Sequence, residues 1–203
     1  MENKFTQKMA QHLTNGLNVY ARKEGLELQK MMLGMEVLLI NISKLIVVYM
    51  LAYLFGILDK TFIVHASFAL VKRYSFGLHA LNSTVCTLVS CCLFVAIPLL
   101  ISDVGIHNKI VIAIFPLIIF TLYRYAPADT KARPLIGAAL RKSLKKKAVV
   151  CGVVVMTIAL LIPNESVKLL LVLGAVYQSI FILPLTYKML KRSERNYEEY
   201  ERN

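Results

Sequence analysis

The chain has 203 residues, of which 57% are hydrophobic, and it combines a mean hydropathy of +0.60 with a net charge of +12. Soluble domains are typically about 45 to 50% apolar, so the composition indicates an integral membrane protein and argues against an ordinary soluble domain. The basic residues lie between hydrophobic segments, where they determine membrane topology, and we therefore expect no nucleic acid as a partner.

The first 30 residues predict an amphipathic helix. Apolar side chains recur there at intervals of three and four residues: Phe5, Met9, Leu13, Leu17 and Tyr20. This spacing gives a helix one apolar face. Such a helix either lies on the membrane surface or packs on the rest of the protein, and the sequence favours neither position strongly.

The remainder, residues 34–187, predicts about six membrane segments in an all-α fold. Five are long apolar runs, at 34–58, 84–101, 105–123, 148–162 and 167–187. The sixth run, 61–71, is mostly apolar but only eleven residues long, and it would cover only about half a bilayer as a helix. We expect this segment to be a short tilted crossing or a re-entrant loop.

The charges between these segments predict the orientation. The loop at 124–147 carries eight Lys or Arg residues and one acid, Asp129, so the positive-inside rule places it in the cytoplasm. With six segments, both termini then lie in the cytoplasm. We expect one membrane-embedded domain over residues 1–203, multi-pass in the cell membrane, with a cytoplasmic tail at 188–203.

Cysteine usage argues against two kinds of site. The four cysteines lie inside or at the edge of apolar runs, and none belongs to a paired C-x-x-C spacing; they are Cys86, Cys91, Cys92 and Cys151. This arrangement predicts neither a secreted-type disulfide framework nor a closed zinc site. We expect no metal and no cofactor.

A cluster of polar and ionisable residues at 72–86 interrupts the apolar pattern and predicts a functional site. His79 and Cys86 are seven residues apart, which on an unbroken helix would separate them by about 10 Å along the axis. Direct chemistry between them needs a break, which Gly77 permits, with Ser83 as the N-cap of the next helix. Cys86 would then be the third helical residue, where the helix dipole and a nearby imidazolium favour a thiolate.

This spacing is also compatible with no catalysis at all. Cys86 would then be a small packing residue, and His79 would form hydrogen bonds at the membrane interface. Lys72 and Arg73 are either topology anchors or ligands for a substrate carboxylate or phosphate, or they support an oxyanion. Asp129 either forms a salt bridge within the loop or orients His79 as a third catalytic residue.

The run from Arg73 through Gly77 and His79, followed by Cys86 and by a basic loop that contains Tyr125-Ala-Pro-Ala-Asp129, resembles the accessory gene regulator B (AgrB) family. The similarity extends over nearly the whole chain in length, predicted topology and order of motifs. One difference is that the glycine pair often found before the histidine is Phe76-Gly77 here.

The resemblance implies a membrane-embedded cysteine endopeptidase that processes an AgrD-type quorum-sensing propeptide. It implies that His79 and Cys86 are catalytic, with Arg73 and Gly77 in supporting positions, and that the active site lies at the cytoplasmic side. It also implies thiolactone or lactone formation in the product and suggests a homodimer. The expected partners are thus an AgrD-like propeptide, the lipid bilayer and a second copy of the chain.

A different class of function is also compatible with the sequence. The alternative is a small peptide transporter or a membrane scaffold without proteolytic activity. The chain shows no inverted repeat and few intramembrane charges, which argues against a pure transporter.

Overall fold

The apolar segments form helices in the computed structural model, which describes residues 4–78, 83–101, 103–130, 134–193 and 196–201. Every regular element in these ranges is helical, in agreement with the predicted all-α fold. The elements are α1 Lys4–Ala21, α2 Gly25–Leu54, α3 Leu58–Ser75, α4 Ser83–Cys91, a π-helical turn Cys92–Ala96, α5 Ile97–Ile101, α6 Asn108–Tyr125, α7 Ala138–Leu161, α8 Glu165–Ile182, α9 Pro184–Met189 and α10 Tyr197–Glu201.

Among the described residues, four helical segments are long and apolar enough to cross a membrane. They are α2, the continuous segment Thr84–Ile101, α6 and α8. The chain is therefore an all-α membrane protein, as predicted. Helices α3 and α7 cover the other two predicted segments and carry more charge, because both extend beyond their apolar runs into basic sequence.

Helix α3 is longer than the sequence predicted. The apolar run 61–71 is the middle of an 18-residue helix, about 27 Å long at ~1.5 Å per residue. The structure therefore shows a continuous helix here and no re-entrant loop. The hydropathy pattern underestimated the length because Asp59, Lys60, Lys72 and Arg73 are helical but polar.

Helices α3 and α8 cross closely at Gly174. A Cβ atom at this position would lie 2.8 Å from the backbone nitrogen of Phe68, and it would also clash with the carbonyl oxygen of Val64. Near this crossing the hydroxyl of Ser67 donates a hydrogen bond to the carbonyl of Leu171, with an Oγ–O distance of 2.6 Å. Small residues at the contact thus allow the two backbones to approach, as is common between membrane helices.

The π-helical turn in the segment after α4 is explained by a proline. Pro98 has no N–H group and cannot bond the carbonyl of Phe94, four residues earlier. The hydroxyl of Thr61 on α3 donates to this carbonyl at 2.7 Å. A side chain of a neighbouring helix thus satisfies the carbonyl that the proline leaves without a partner.

Helix α1 folds back on α2 through small side chains. Ala10 and Thr14 are buried, whereas the larger apolar residues Met9, Leu13 and Leu17 are 41%, 42% and 50% exposed. The predicted amphipathic pattern is therefore present, with its small residues against α2 and its large apolar residues directed outward. A helix at a membrane surface would expose such residues to lipid.

Candidate active site

The chain leaves the helical conformation between α3 and α4. Helix α3 ends at Ser75, and the next two residues have positive φ angles, 58° at Phe76 and 106° at Gly77. The chain becomes helical again at Ser83. Residues 79–82, which include the predicted catalytic His79, lie outside the described residues.

Gly77 is held between the loop after α6 and the end of α8. Its N–H donates a hydrogen bond to the carbonyl of Ala128 at 2.9 Å. A Cβ atom at this position would lie 3.1 Å from both the carbonyl oxygen of Phe181 and the Cγ2 atom of Ile182. Positive φ and close packing together make glycine the residue that fits here.

Gln178 of α8 forms hydrogen bonds with the C-terminal end of α3. Its side chain is fully buried, and its Nε2 atom donates to the hydroxyl of Ser75 at 2.7 Å and to the carbonyl of Phe76 at 2.6 Å. These bonds position the point at which the chain turns away from α3. Gln178 was not among the predicted site residues, although a glutamine inside an apolar span is a signal of an internal hydrogen bond.

A cavity of about 380 Å³ lies beside Cys86. Its volume is within the range of ligand-binding clefts, roughly 300 to 1,000 Å³. Side chains of α2, α3, α4 and the π-helical turn line it: Asn41, Lys44, Leu45, Val48, His65, Phe68, Ala69, Lys72, Arg73, Cys86, Ser90 and Phe94. The described part of the wall thus contains three cations and no Asp or Glu.

The side chain of Lys44 reaches the sulfur of Cys86. The ammonium nitrogen of Lys44 lies 3.3 Å from Sγ. Lys72 interacts electrostatically with both Cys86 and Lys44. Arg73, the other predicted supporting cation, lines the same cavity. A thiolate at this position would be stabilised by the positive charges around it.

The backbone also places Cys86 near a helix N-terminus. Helix α4 begins at Ser83, so Cys86 is the fourth helical residue, whereas the sequence predicted Ser83 as the cap and Cys86 as the third. Helix ends commonly differ by one residue between descriptions. Cys86 remains in the first turn, where backbone N–H groups point toward the N-terminal end of the helix.

His65 also lines this cavity, which the sequence analysis did not anticipate. Its Nδ1 atom is 3.0 Å from the hydroxyl oxygen of Tyr49, and its ring centre is 4.8 Å from that of Phe94. His65 and Lys72 are seven residues apart on α3, so they share one helix face. Lys44 was also not among the predicted site residues. Its position inside an apolar span was a signal that could have identified it, since an ionisable residue there indicates function.

Asp129 does not line this cavity, and its side chain contacts the C-terminal tail. Its carboxylate accepts hydrogen bonds from the backbone N–H groups of Asn196 at 3.0 Å and Tyr197 at 2.8 Å. Asp129 lines a second cavity, of about 200 Å³, which shares no lining residue with the first. These bonds give Asp129 a structural role in holding the tail.

Within the described ranges, no three His, Cys, Asp or Glu side chains are grouped closely enough to hold a metal ion.

The comparison with solved structures found no match. A protein-family model described as "Accessory gene regulator B" matches residues 5–182. The chain belongs to the accessory gene regulator B family. Membership of this family supports a role in the processing step of accessory gene regulator quorum sensing.

Individual members of the accessory gene regulator B family are similar over most of their length. The chain is 43% identical over 196 residues to a "Putative AgrB-like protein" of Clostridium acetobutylicum, covering 97% of this chain and 94% of the relative. It is 45% identical over 172 residues to a "Putative AgrB-like protein" of Listeria innocua, covering 85% and 84%. It is 37% identical over 155 residues to "Accessory gene regulator protein B" of Staphylococcus aureus, covering 76% and 82%.

Proposed function

We propose that the chain is a membrane-embedded cysteine endopeptidase that cleaves an AgrD-like propeptide in quorum-sensing signal production. Cys86 is the nucleophile and His79 is the general base. The observation that carries this proposal is the position of Cys86, in the first turn of α4 and beside a cavity lined by Lys44, Lys72 and Arg73. Reactive cysteines are found in such electropositive, accessible surroundings.

In the first step, His79 takes the proton of the Cys86 thiol, and the thiolate attacks the carbonyl carbon at the cleavage site. The C–N bond then breaks, and the imidazolium gives its proton to the departing amine. The C-terminal fragment leaves, and the N-terminal part stays bound to Sγ as a thioester. In this proposal Arg73 and Lys72, which line the cavity, stabilise the oxyanion of the tetrahedral intermediate or bind a substrate carboxylate.

In the second step, a cysteine or serine of the bound peptide attacks the thioester. Its proton passes to His79, a new thioester or ester bond forms, and the bond to Cys86 breaks. The product is a thiolactone or a lactone, and the proton on His79 returns to Sγ, which regenerates the Cys86 thiol. Because the exchange of one thioester for another is nearly neutral in energy, a site that excludes water favours ring closure over hydrolysis.

The proposed active site faces the cytoplasm, as do both termini. The basic segment at 124–147, much of which belongs to α7, would attract an acidic segment of the propeptide, and the membrane surface would concentrate an amphipathic one. A homodimer is part of this proposal. Asp129 contributes indirectly, because it holds the loop whose Ala128 carbonyl bonds Gly77.

Coexpression with an AgrD-like propeptide tests the proposal. Cys86→Ala and His79→Ala should leave the propeptide intact at normal membrane abundance, as measured by gel and mass spectrometry. Cys92→Ala is the matched control for the nucleophile, since Cys92 is exposed on the same helical segment. His65→Phe is the matched control for the base, since His65 lies in the same cavity.

Normal cleavage by Cys86→Ala would reject the endopeptidase proposal in favour of transport or scaffolding. Loss of cleavage in His65→Phe with retention in His79→Ala would assign the role of general base to His65 instead of His79. A trapped thioester between Sγ and the N-terminal fragment, seen by mass spectrometry, would support the acyl-enzyme directly.

A further inference from the structure

Lys44 lies in the middle of the apolar helix α2, yet its ammonium group reaches the sulfur of Cys86. The Nζ and Sγ atoms are 3.3 Å apart, although the two residues are 42 positions apart in the sequence. This contact is partly buried, and removing a charged group from water is unfavourable unless an opposite charge compensates. The described residues that line the cavity supply no carboxylate for this purpose.

A second ammonium group makes the need for an anion stronger. Lys72 interacts electrostatically with Lys44, and these like charges repel each other. The Lys72 ammonium lies over the ring of Phe68 at 4.9 Å and the ring of Phe181 at 5.9 Å, which partly compensates its charge. A negative charge on the sulfur of Cys86 would attract both ammonium groups.

The other groups that face the sulfur do not change this balance. Helix α3 adds His65 and Arg73, neither of which is an anion, and α2 adds the amide of Asn41. On α4 itself, the hydroxyl of Ser90 is directed to the backbone, where it donates to the carbonyl of Cys86 at 2.8 Å. Among the described lining residues, the thiol of Cys86 is therefore the group beside Lys44 that can become an anion.

We propose that Lys44 is a catalytic residue whose ammonium group forms an ion pair with the Cys86 thiolate, an inference that rests on the proposed endopeptidase function. The thiol proton still leaves through His79. Lys44 keeps its own proton and stabilises the anion that remains. The nucleophile is thus held as a thiolate before the propeptide binds.

The same ion pair assists the second half of the reaction. When the nucleophile of the bound peptide attacks the thioester, the C–S bond to Cys86 breaks and its electron pair returns to Sγ. The departing thiolate forms beside the Lys44 ammonium, which stabilises it without transferring a proton. Lys44 therefore acts on both the attack and the release of Cys86.

The test measures alkylation of Cys86 by iodoacetamide in the full-length protein in detergent, with every other cysteine replaced by alanine: Cys91→Ala, Cys92→Ala and Cys151→Ala. We expect Lys44→Met to slow alkylation at pH 7 at least tenfold, because iodoacetamide reacts with the thiolate. At pH 10 the two rates should differ less, because an ordinary thiol is largely ionised at that pH without a neighbouring cation. A loss of access to the cavity would slow the reaction equally at both values.

Three variants complete the design. Lys30→Met removes a lysine from the same helix outside the cavity and should not change the rate. Lys44→Arg should retain most of the effect of the positive charge. Lys44→Gln, which is polar and similar in length, provides the comparison if Lys44→Met fails to accumulate in the membrane.

Equal rates for Lys44→Met and the parent protein at pH 7 would overturn the ion pair, as would an equal reduction at pH 7 and pH 10. In the cleavage assay, Lys44→Met should lower kcat at least tenfold with little change in KM. If Cys86→Ala still cleaves the propeptide while Lys44 still controls alkylation, the proposed function fails and the ion pair stands. If Cys86→Ala abolishes cleavage and the alkylation rate does not depend on Lys44, the proposed function stands and the ion pair fails.

Discussion

Two groups of charged residues in different parts of the fold differ in what neutralises their charges. In the tail cluster, formed by Asp129, Arg141, Tyr197 and Glu201, the guanidinium of Arg141 donates to both carboxylate oxygens of Glu201, at 2.6 and 3.0 Å. The same guanidinium lies 3.8 Å from the ring centre of Tyr197. In the cavity cluster, formed by Lys44, Lys72 and Arg73 around Cys86, the described lining contains no carboxylate.

The difference separates a structural role from a chemical one. In the tail cluster the guanidinium of Arg141 and the carboxylate of Glu201 compensate each other and hold α10 against α7, so this pair needs no ligand. In the cavity cluster the positive charges exceed any negative charge that the described lining supplies. An uncompensated charge of this kind in a cleft is typical of functional sites, since a thiolate or a substrate anion can use it.

Adding a carboxylate to the cavity cluster should have the largest effect. Ser90→Asp introduces a negative charge one turn after Cys86, where it competes with the thiolate for the lysines. We expect propeptide cleavage to fall at least about tenfold, which corresponds to about 1.4 kcal/mol in the activation barrier. Ser90→Asn has nearly the same shape without the charge and should reduce cleavage far less. Similar rates for the two variants would contradict the electrostatic explanation.

Removing Arg73 from the cavity cluster should have a smaller effect. Arg73 lines the cavity, whereas Arg192 lies in the tail after α9. We expect Arg73→Ala to slow cleavage about fivefold through weaker electrostatic stabilisation, and Arg192→Ala to slow it much less. Initial rates with purified propeptide provide the measurement. Equal rates for the two alanine variants would reject a functional role for Arg73.

Breaking the tail cluster should alter structure and leave the chemistry unchanged. Arg141→Met removes both bonds to Glu201 and the contact with Tyr197. Because exposed ion pairs contribute little to stability, we expect hydrogen exchange at residues 197–201 to rise only about threefold. Cleavage should stay at the level of the unmodified protein. A loss of cleavage in this variant would show that the two clusters are coupled.

Acidification should weaken the contact between Arg141 and Glu201. We expect its effect on the protection of residues 197–201 to be the smallest of these changes. The hydrogen bond from Arg141, together with the N–H of Gly137, lowers the pKa of Glu201 from 4.5. A carboxyl group with a lowered pKa in the folded state stabilises the fold above its unfolded pKa, and this contribution is lost as the pH falls through the lower value. Protection of residues 197–201 should therefore be constant from pH 7 to about 5 and decrease below 4.5.

Hydrogen exchange corrected for intrinsic rates checks this dependence. The control is Glu201→Gln, which lacks the titrating group and should show no step. A step of equal size in both proteins would assign the effect to a different group.

Local sequence patterns were sufficient to predict several features of the structure. The all-α membrane fold follows from runs of apolar residues that are long enough to cross a bilayer, because each run carries this information within itself. The interruption between α3 and α4 was predicted from Gly77 and the polar residues that follow it, and these are local conformational preferences. The sequence predicted too short a helix at 61–71, because hydropathy does not detect the polar ends of a helix.

The neighbours of the site could not be predicted in this way. Nothing in the spacing of Lys44 and Cys86 indicates that α2 brings an ammonium group to the sulfur. Gln178 is 103 residues from Ser75, with which it forms a hydrogen bond. The partners of Asp129 lie in the C-terminal tail, where the sequence showed only mixed charge.

By itself, the sequence determined which segments are helical and apolar, where the chain breaks, and which residues are able to do thiol chemistry. The tertiary structure decided which charges surround Cys86 and which remain without a carboxylate. The physical reason is that helix formation and membrane insertion depend on residues within one segment. The environment of a side chain depends instead on which helices pack together, and close crossings such as the one at Gly174 decide this between segments far apart in the chain.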